Sequence, residues 1–181
     1  MQDMLSHLFA YVCGQNPAHT WSPGGVWMPC CQRCTGLYVG ACVAAALLLA
    51  ARPTPSYRWR WVHGGFLLLM VPFGFHWLPQ GPVLRSVTGV LFGFGLTAYL
   101  MITLPVPTQR GEAKGSARTY AAGLLATLTL VPWLGAYGSA RAADTLSLLA
   151  TGGALALCTL ALANAALVLC WLIRRTLDRT A

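Results

Sequence analysis

Four cysteines fall within the first 34 residues, Cys13, Cys30, Cys31 and Cys34, and the last of them opens a long apolar run. Thiols gathered at the mouth of an apolar segment can bind a soft metal, exchange electrons as a dithiol, or staple a loop. Cys31-Gln32-Arg33-Cys34 has CxxC spacing, which puts both sulfurs on one side if the segment begins a helix. A helix N-terminus and the adjacent Arg33 would both favour a thiolate over a thiol. Cys30 offers an extra thiol beside the pair. Three thiolates from Cys13, Cys31 and Cys34 with an imidazole from His76 would suit zinc, and a thiolate-rich set also suits monovalent copper. The alternatives are an interfacial aromatic-belt role for His76, between Phe75 and Trp77, and a structural disulfide from Cys13 to one of the later cysteines.

Two arginines accompany the thiols. Arg33 lies inside the CxxC, and Arg85 sits one turn into a later apolar run. A charge at membrane depth is costly and faces a polar cavity, a partner or the interface. Arg33 and Arg85 are therefore candidates to lower a thiol pKa or to hold an anionic ligand, with Tyr38 orienting them; snorkelling to the interface is the competing reading. Cys42, Cys158 and Cys170 lie in apolar runs and read as small buried hydrophobes. His7 and His19 read as solvated, and His63 as an interfacial residue. No phosphate-binding loop, Ser-His-Asp order, HExxH pattern or pair of carboxylates within an apolar run is present, which argues against a transporter driven by buried acids.

The elements that must carry these residues are membrane helices. Apolar residues make up 56% of the 181 residues and charged ones 9%, too few to cover a water-soluble surface. A helix needs about 20 apolar residues to cross the hydrocarbon core. Five runs approach that length, at about 35–51, 61–78, 83–104, 119–137 and 145–173. The expected fold is an all-α polytopic transmembrane bundle of about five spans, with a short interfacial helix around Leu5, Leu8 and Phe9. A sixth or re-entrant span there is the competitor. Residues 1–34 are expected to form an exoplasmic, cysteine-containing segment and residues 35–181 the bundle, within a single domain. Gly36 with Gly40, and Gly89 with Gly93, are spaced for close helix approach, within the chain rather than across a dimer seam.

The net charge of +8 is not a nucleic-acid signature, because the basic residues sit in short connections. Arg52, Arg58, Arg60, Arg110, Lys114, Arg118, Arg174, Arg175 and Arg179 fall on one side if the runs alternate; Arg33, Arg85 and Arg141 fall on the other. Basic residues are retained on the cytoplasmic side, so the expected placement is the bacterial inner (plasma) membrane, N-terminus outside and C-terminus inside. The thiols then face a compartment that permits disulfides.

The stretch Cys31-Gln32-Arg33-Cys34-Thr35-Gly36-Leu37-Tyr38-Val39-Gly40 resembles the signature of a bacterial family of predicted membrane proteins, domain of unknown function 2085 (DUF2085). Cys13 with Gln15 matches its early block, Cys31, Arg33, Cys34, Gly36, Tyr38 and Gly40 its central block, and Pro72, Gln80, Arg85, Thr88 and Gly89 its later block. The likeness spans about residues 11–95. It implies a helical membrane protein whose polar and sulfur residues gather at one end. Two positions depart from the pattern: its first His is Gly14 here, and an Asp appears as His76. If the family site used that His, His76 is its replacement.

The leading expectation is an integral membrane protein that binds zinc or copper at an exoplasmic cysteine cluster. The alternative is a membrane thiol-disulfide oxidoreductase in which Cys31 and Cys34 are catalytic, exchange with Cys13 or a partner, and pass electrons to a quinone. The third is a structural or transport protein with a disulfide-stapled cap. The lipid bilayer is the expected partner.

Overall fold

The computed structural model describes residues 2–51, 57–75, 77–104 and 113–180. Among these residues there are six α-helices: α1 (Gln2–Ala10), α2 (Gln32–Ala51), α3 (Tyr57–Gly74), α4 (Pro82–Ile102), α5 (Ala113–Tyr137) and α6 (Ala140–Thr180). Among the described residues there is no β-strand, only an isolated bridge between Thr20 and Cys31. The all-α bundle expected from the apolar runs is what forms. Four helices, α2, α4, α5 and α6, are long and apolar enough to cross a membrane. The remaining expected run, 61–78, forms a helix displaced toward its N-terminus. α3 starts at Tyr57, takes in Arg58 and Arg60, carries Pro72 and stops at Gly74. Its 18 residues reach about 27 Å, with two charges in the first turn.

Contacts between the helices fix their directions. Gly36 and Gly40 of α2 face Ser86 and Val90 of α4, and Gly89 and Gly93 of α4 face Arg33 and Leu37 of α2. A methyl added at any of these four positions would overlap backbone of the facing helix. The two helices therefore run parallel, with backbones in contact along a seam inside one chain, as the glycine spacing predicts. α6 lies beside them in the same sense, Gly153 resting on the Tyr38 carbonyl. α3 runs the opposite way: Gly95 of α4 meets His63 of α3, and the Tyr99 hydroxyl donates to the Arg60 carbonyl at 2.7 Å. α5 also returns, from Gly123 beside Leu47 to Gly135 beside Trp21.

The starts of α2, α4 and α6 and the ends of α3 and α5 thus meet at one end of the bundle. The segment before α2 closes that end. α1 buries Leu5 and Phe9, and two 3-10 turns, Pro17–His19 and Pro23–Gly25, carry the chain across. Trp21 packs on Gly135, Gly24 on Ala140, and the Ser147 hydroxyl contacts the Met28 sulfur at 3.7 Å. Leu5, Phe9, Cys13, Trp21, Met28 and Cys30 share one apolar cluster with Val39, Val90, Phe94 and Leu146. The N-terminal segment is packed into the same core as the helices it covers.

Candidate metal centre

Three sulfurs converge under this cap. The Sγ atoms of Cys13, Cys31 and Cys34 all lie within 4.8 Å of one another. Each arrives from a different piece of local structure. Cys13 follows the last turn of α1, where the Val12 and Cys13 amides bond back to the Phe9 carbonyl. Cys31 sits on the bridge with Thr20, and its carbonyl accepts the Thr35 amide as α2 begins. Cys34 is in the first turn of α2.

Gln15 holds the first of these pieces to the second. Its amide nitrogen donates to the Ser6 carbonyl at 2.5 Å and to the Pro29 carbonyl at 2.8 Å. To do so the residue adopts φ +44°, a left-handed backbone that side chains other than glycine rarely take. Backbone strain of this kind is tolerated where surrounding bonds hold it.

The electrostatics of the trio are unequal. The Cys13 sulfur receives the Cys31 backbone amide at 3.3 Å. Hydrogen bonds from the Cys31 and Cys34 thiols, and then from the Cys31 and Gln15 amides, hold Cys13 well below the ordinary thiol pKa against the opposing effect of burial. Cys31 is displaced upward, chiefly because its thiol donates to Cys13. The two neighbouring thiols and the backbone amides thus favour negative charge on Cys13 over Cys31. Those same amides would support a metal thiolate, because a hydrogen-bonded ligand is an oriented ligand.

Cys30 does not join the trio. It is completely buried, with its sulfur 3.4 Å from the Thr35 hydroxyl, and burial pushes its pKa up to about 12. The extra thiol expected beside Cys31 is therefore a core side chain: successive residues at the bridge point to opposite sides. Cys42 is half-buried, while Cys158 and Cys170 of α6 are exposed, not buried as their apolar surroundings suggest. All seven cysteines are free thiols.

The trio opens into a pocket of about 250 Å³ lined by Cys13, Cys31, Cys34, Arg33, Arg85 and His19, with the exposed Val12, Gly14 and Asn16 at its rim. Both arginines singled out in the sequence line it. Arg33 is anchored, its Nη2 donating to the Phe73 carbonyl at 2.8 Å and to the Gln80 Oε1 at 2.6 Å; its Nε is buried and makes no hydrogen bond. Arg85 is half-buried, and its guanidinium makes no hydrogen bond or ion pair with another described residue. His19 is half-buried at the same pocket and not simply solvated. Tyr38 instead lies against Phe9, ring centroids 5.3 Å apart, and lines a separate apolar groove of about 620 Å³ with Leu5, Leu37, Leu96 and Leu100. Val12 belongs to both walls, so groove and thiol pocket are neighbours. His76 lies outside the described residues.

At the far end of the bundle the structure reveals a polar tie that the sequence reading missed. His63 is 2% exposed, its Nδ1–H donates to the Trp59 carbonyl at 2.9 Å, and its Nε2 accepts from the Tyr120 hydroxyl at 2.8 Å. Trp59, Phe66 and Tyr120 pack against the ring, and Phe94 meets Tyr120 edge-on. His63 is a buried link between α3 and α5, not an interfacial side chain. The available signal was weak: its apolar neighbours Trp59 and Phe66 recur at helical spacing, but Tyr120 is 57 residues away.

The family model described as "Predicted membrane protein (DUF2085)" matches residues 13–100. The matched region runs from the first cysteine of the trio to the last turns of α4, and it includes Arg33, Tyr38 and Arg85. A protein from Methanothermobacter thermautotrophicus described as uncharacterized is 35% identical over 99 residues, covering 51% of this chain and 87% of the relative. That relative is archaeal, so the likeness extends beyond bacteria. No solved structure matches.

Proposed function

This chain belongs to the predicted membrane protein family DUF2085, and from that premise we propose that it binds a soft metal ion, zinc or monovalent copper, at one end of its helical bundle. The observation that carries the reading is the convergence of Cys13, Cys31 and Cys34, three sulfurs from separate segments within 4.8 Å of one another. Bringing three thiols together under a cap costs conformational freedom and crowds groups that repel once ionised. A cation between them turns that repulsion into attraction, and thiolates are the preferred ligands of both ions. In this reading the three cysteines are the ligands and Arg33 and Arg85 offset the charge of the thiolates; His76, the imidazole considered from sequence, lies outside the described residues. Residues 1–34 serve as the lid of the site and residues 35–181 as its bilayer-embedded scaffold, with the site on the exoplasmic face.

The test is elemental analysis of detergent-purified protein. Wild type is expected to carry close to one equivalent of zinc or copper. Cys31→Ser combined with Cys34→Ser is expected to lose it, while Cys158→Ser retains it. Equal metal content in wild type and the double variant would remove the proposal.

A second reading is supported by the groove beside the site. In a thiol-disulfide oxidoreductase, Cys13 as thiolate would pair with Cys31 or Cys34. Two electrons and the proton of the second thiol would pass to a quinone, which takes its other proton from solvent to give a quinol, with the quinone tail in the groove lined by Leu5, Phe9, Leu37 and Leu100. A reversible thiol-disulfide couple in metal-free protein, lost on Cys13→Ser, would favour this reading over metal storage.

A further inference from the structure

We propose that the metal centre is an open one: its fourth ligand is not a residue of this chain but a small external monoanion with a soft donor atom, such as a low-mass thiolate, held in place by Arg85. This rests on the metal-binding reading and specifies what the site binds.

Three features of the pocket lead here. First, the described His, Cys, Asp and Glu side chains supply three ligand atoms to the cluster and no more. A closed structural zinc site takes four protein ligands, whereas a site that exchanges ligands keeps one position free. Second, that position does not lie against packed core. About 250 Å³ of space adjoins the sulfurs and reaches the exposed Gly14 and Asn16, enough for an ion and several non-hydrogen atoms.

Third, the charge around the pocket is arranged for an incoming anion. Arg33 is already committed to Phe73 and Gln80, but Arg85 stands half-buried with its donors unspent on the described chain. A half-buried guanidinium that meets no described carboxylate or carbonyl is a ready partner for an anion, and an anion between it and the metal would gain a charge-assisted hydrogen bond. The charges then match. A divalent zinc ion with three thiolates carries one net negative charge, a bound monoanion makes it two, and Arg33 with Arg85 returns the site to neutrality. A neutral imidazole in the fourth position would leave one positive charge uncompensated in a region poor in carboxylates.

Cobalt(II) in place of zinc makes the centre visible, since thiolate-to-cobalt charge transfer reports the sulfurs and the d–d bands report the coordination number and the fourth ligand. Cobalt-loaded protein in detergent is titrated with thiocyanate, a small ambidentate monoanion. We expect a saturable change in the d–d bands with the charge-transfer band retained. Arg85→Gln should raise the half-saturation concentration about tenfold while keeping the charge transfer, the loss of one charge-assisted hydrogen bond. His19→Ala and His76→Ala should leave the spectrum before titration unchanged. If thiocyanate gives no saturable change, or gives one that Arg85→Gln does not weaken, the inference is overturned. It is overturned equally if either histidine variant shifts the bands, since an imidazole then fills the position. Absence of charge transfer in wild type would instead remove the metal reading itself, so the two failures are separable.

Discussion

At the scale of single residues, the unequal treatment of the three sulfurs is the feature with the most direct consequence. Cys13 receives hydrogen bonds from the Cys31 and Cys34 thiols and from the Cys31 and Gln15 amides, so its thiolate is favoured in the folded protein. An unperturbed thiol ionises near pH ~8.5. Metal-free protein should therefore show thiolate absorbance near 240 nm already at pH about 7, and Cys13→Ser should delay its appearance to the ordinary thiol range. The linkage has a definite sign. A group whose pKa is depressed on folding contributes stability that is fully present above the unfolded value of about 8.5 and is lost as pH falls through the folded value. Denaturant midpoints of metal-free wild type should accordingly rise with pH on the acid side of about 8.5, and the Cys13→Ser variant should lose that slope. An ultraviolet titration that is the same in both proteins would contradict the assignment. The identity of the trio was legible in the sequence, because thiol type and CxxC spacing are local signals. The departure of Cys30 was not: it depends on the bridge to Thr20 at Cys31, which turns neighbouring side chains to opposite sides.

At the scale of elements, the seam between α2 and α4 is what brings the arginines to the thiols. Gly89 rests on the Arg33 carbonyl, inside the CxxC, while Arg85 lies one turn earlier on the same helix. A side chain at Gly89 would part the helices at the site itself. One at Gly93, against Leu37, would part them a turn below. Overpacking of a tight contact costs about 1–3 kcal/mol. Gly89→Leu should therefore lower the thermal midpoint and also weaken metal binding, whereas Gly93→Leu should lower the midpoint with a smaller effect on affinity. Equal loss of affinity in both would mean that the seam sets stability alone and not the geometry of the centre. The glycine spacing made this contact legible from sequence, because small residues four apart on two apolar helices have few other uses. α3 was legible only roughly, since apolar runs mark helices better than their ends; the helix takes in Arg58 and Arg60 and stops two residues past Pro72. The tie from His63 to Tyr120 was invisible because it joins residues on different helices with no pattern linking them.

At the scale of the whole molecule, the alternating helix directions sort the charges by end. Arg33, Arg85 and Arg141 belong to the end that holds the thiols, where α2, α4 and α6 begin. Arg58, Arg60 and Arg118 start the two returning helices at the opposite end, and Arg174 and Arg175 follow the crossing of α6 to that same end, which it has reached by Asn164, bonded to the Leu100 carbonyl at 2.9 Å. Lys114 lies in the first turn of α5, and Arg52 and Arg110 lie outside the described residues. This asymmetry is the physical basis for orientation, because translocating a basic loop is opposed and retaining it is not. In the proposed orientation the thiols would face an oxidising exterior, where a bound metal would protect them or they would cycle through a disulfide. The expected outcome is a C-terminus in the cytoplasm and an N-terminus outside. A fluorescent protein fused after Ala181 should fold and fluoresce in cells of a bacterial host, and alkaline phosphatase fused at the same point should be inactive. A membrane-impermeant maleimide added to intact metal-depleted cells should label a variant retaining only Cys13, Cys31 and Cys34. Labelling only after the membrane is broken, together with active phosphatase at the C-terminus, would invert the molecule and place the same three sulfurs in a reducing cytoplasm, where a metal site gains support and a disulfide cycle loses it.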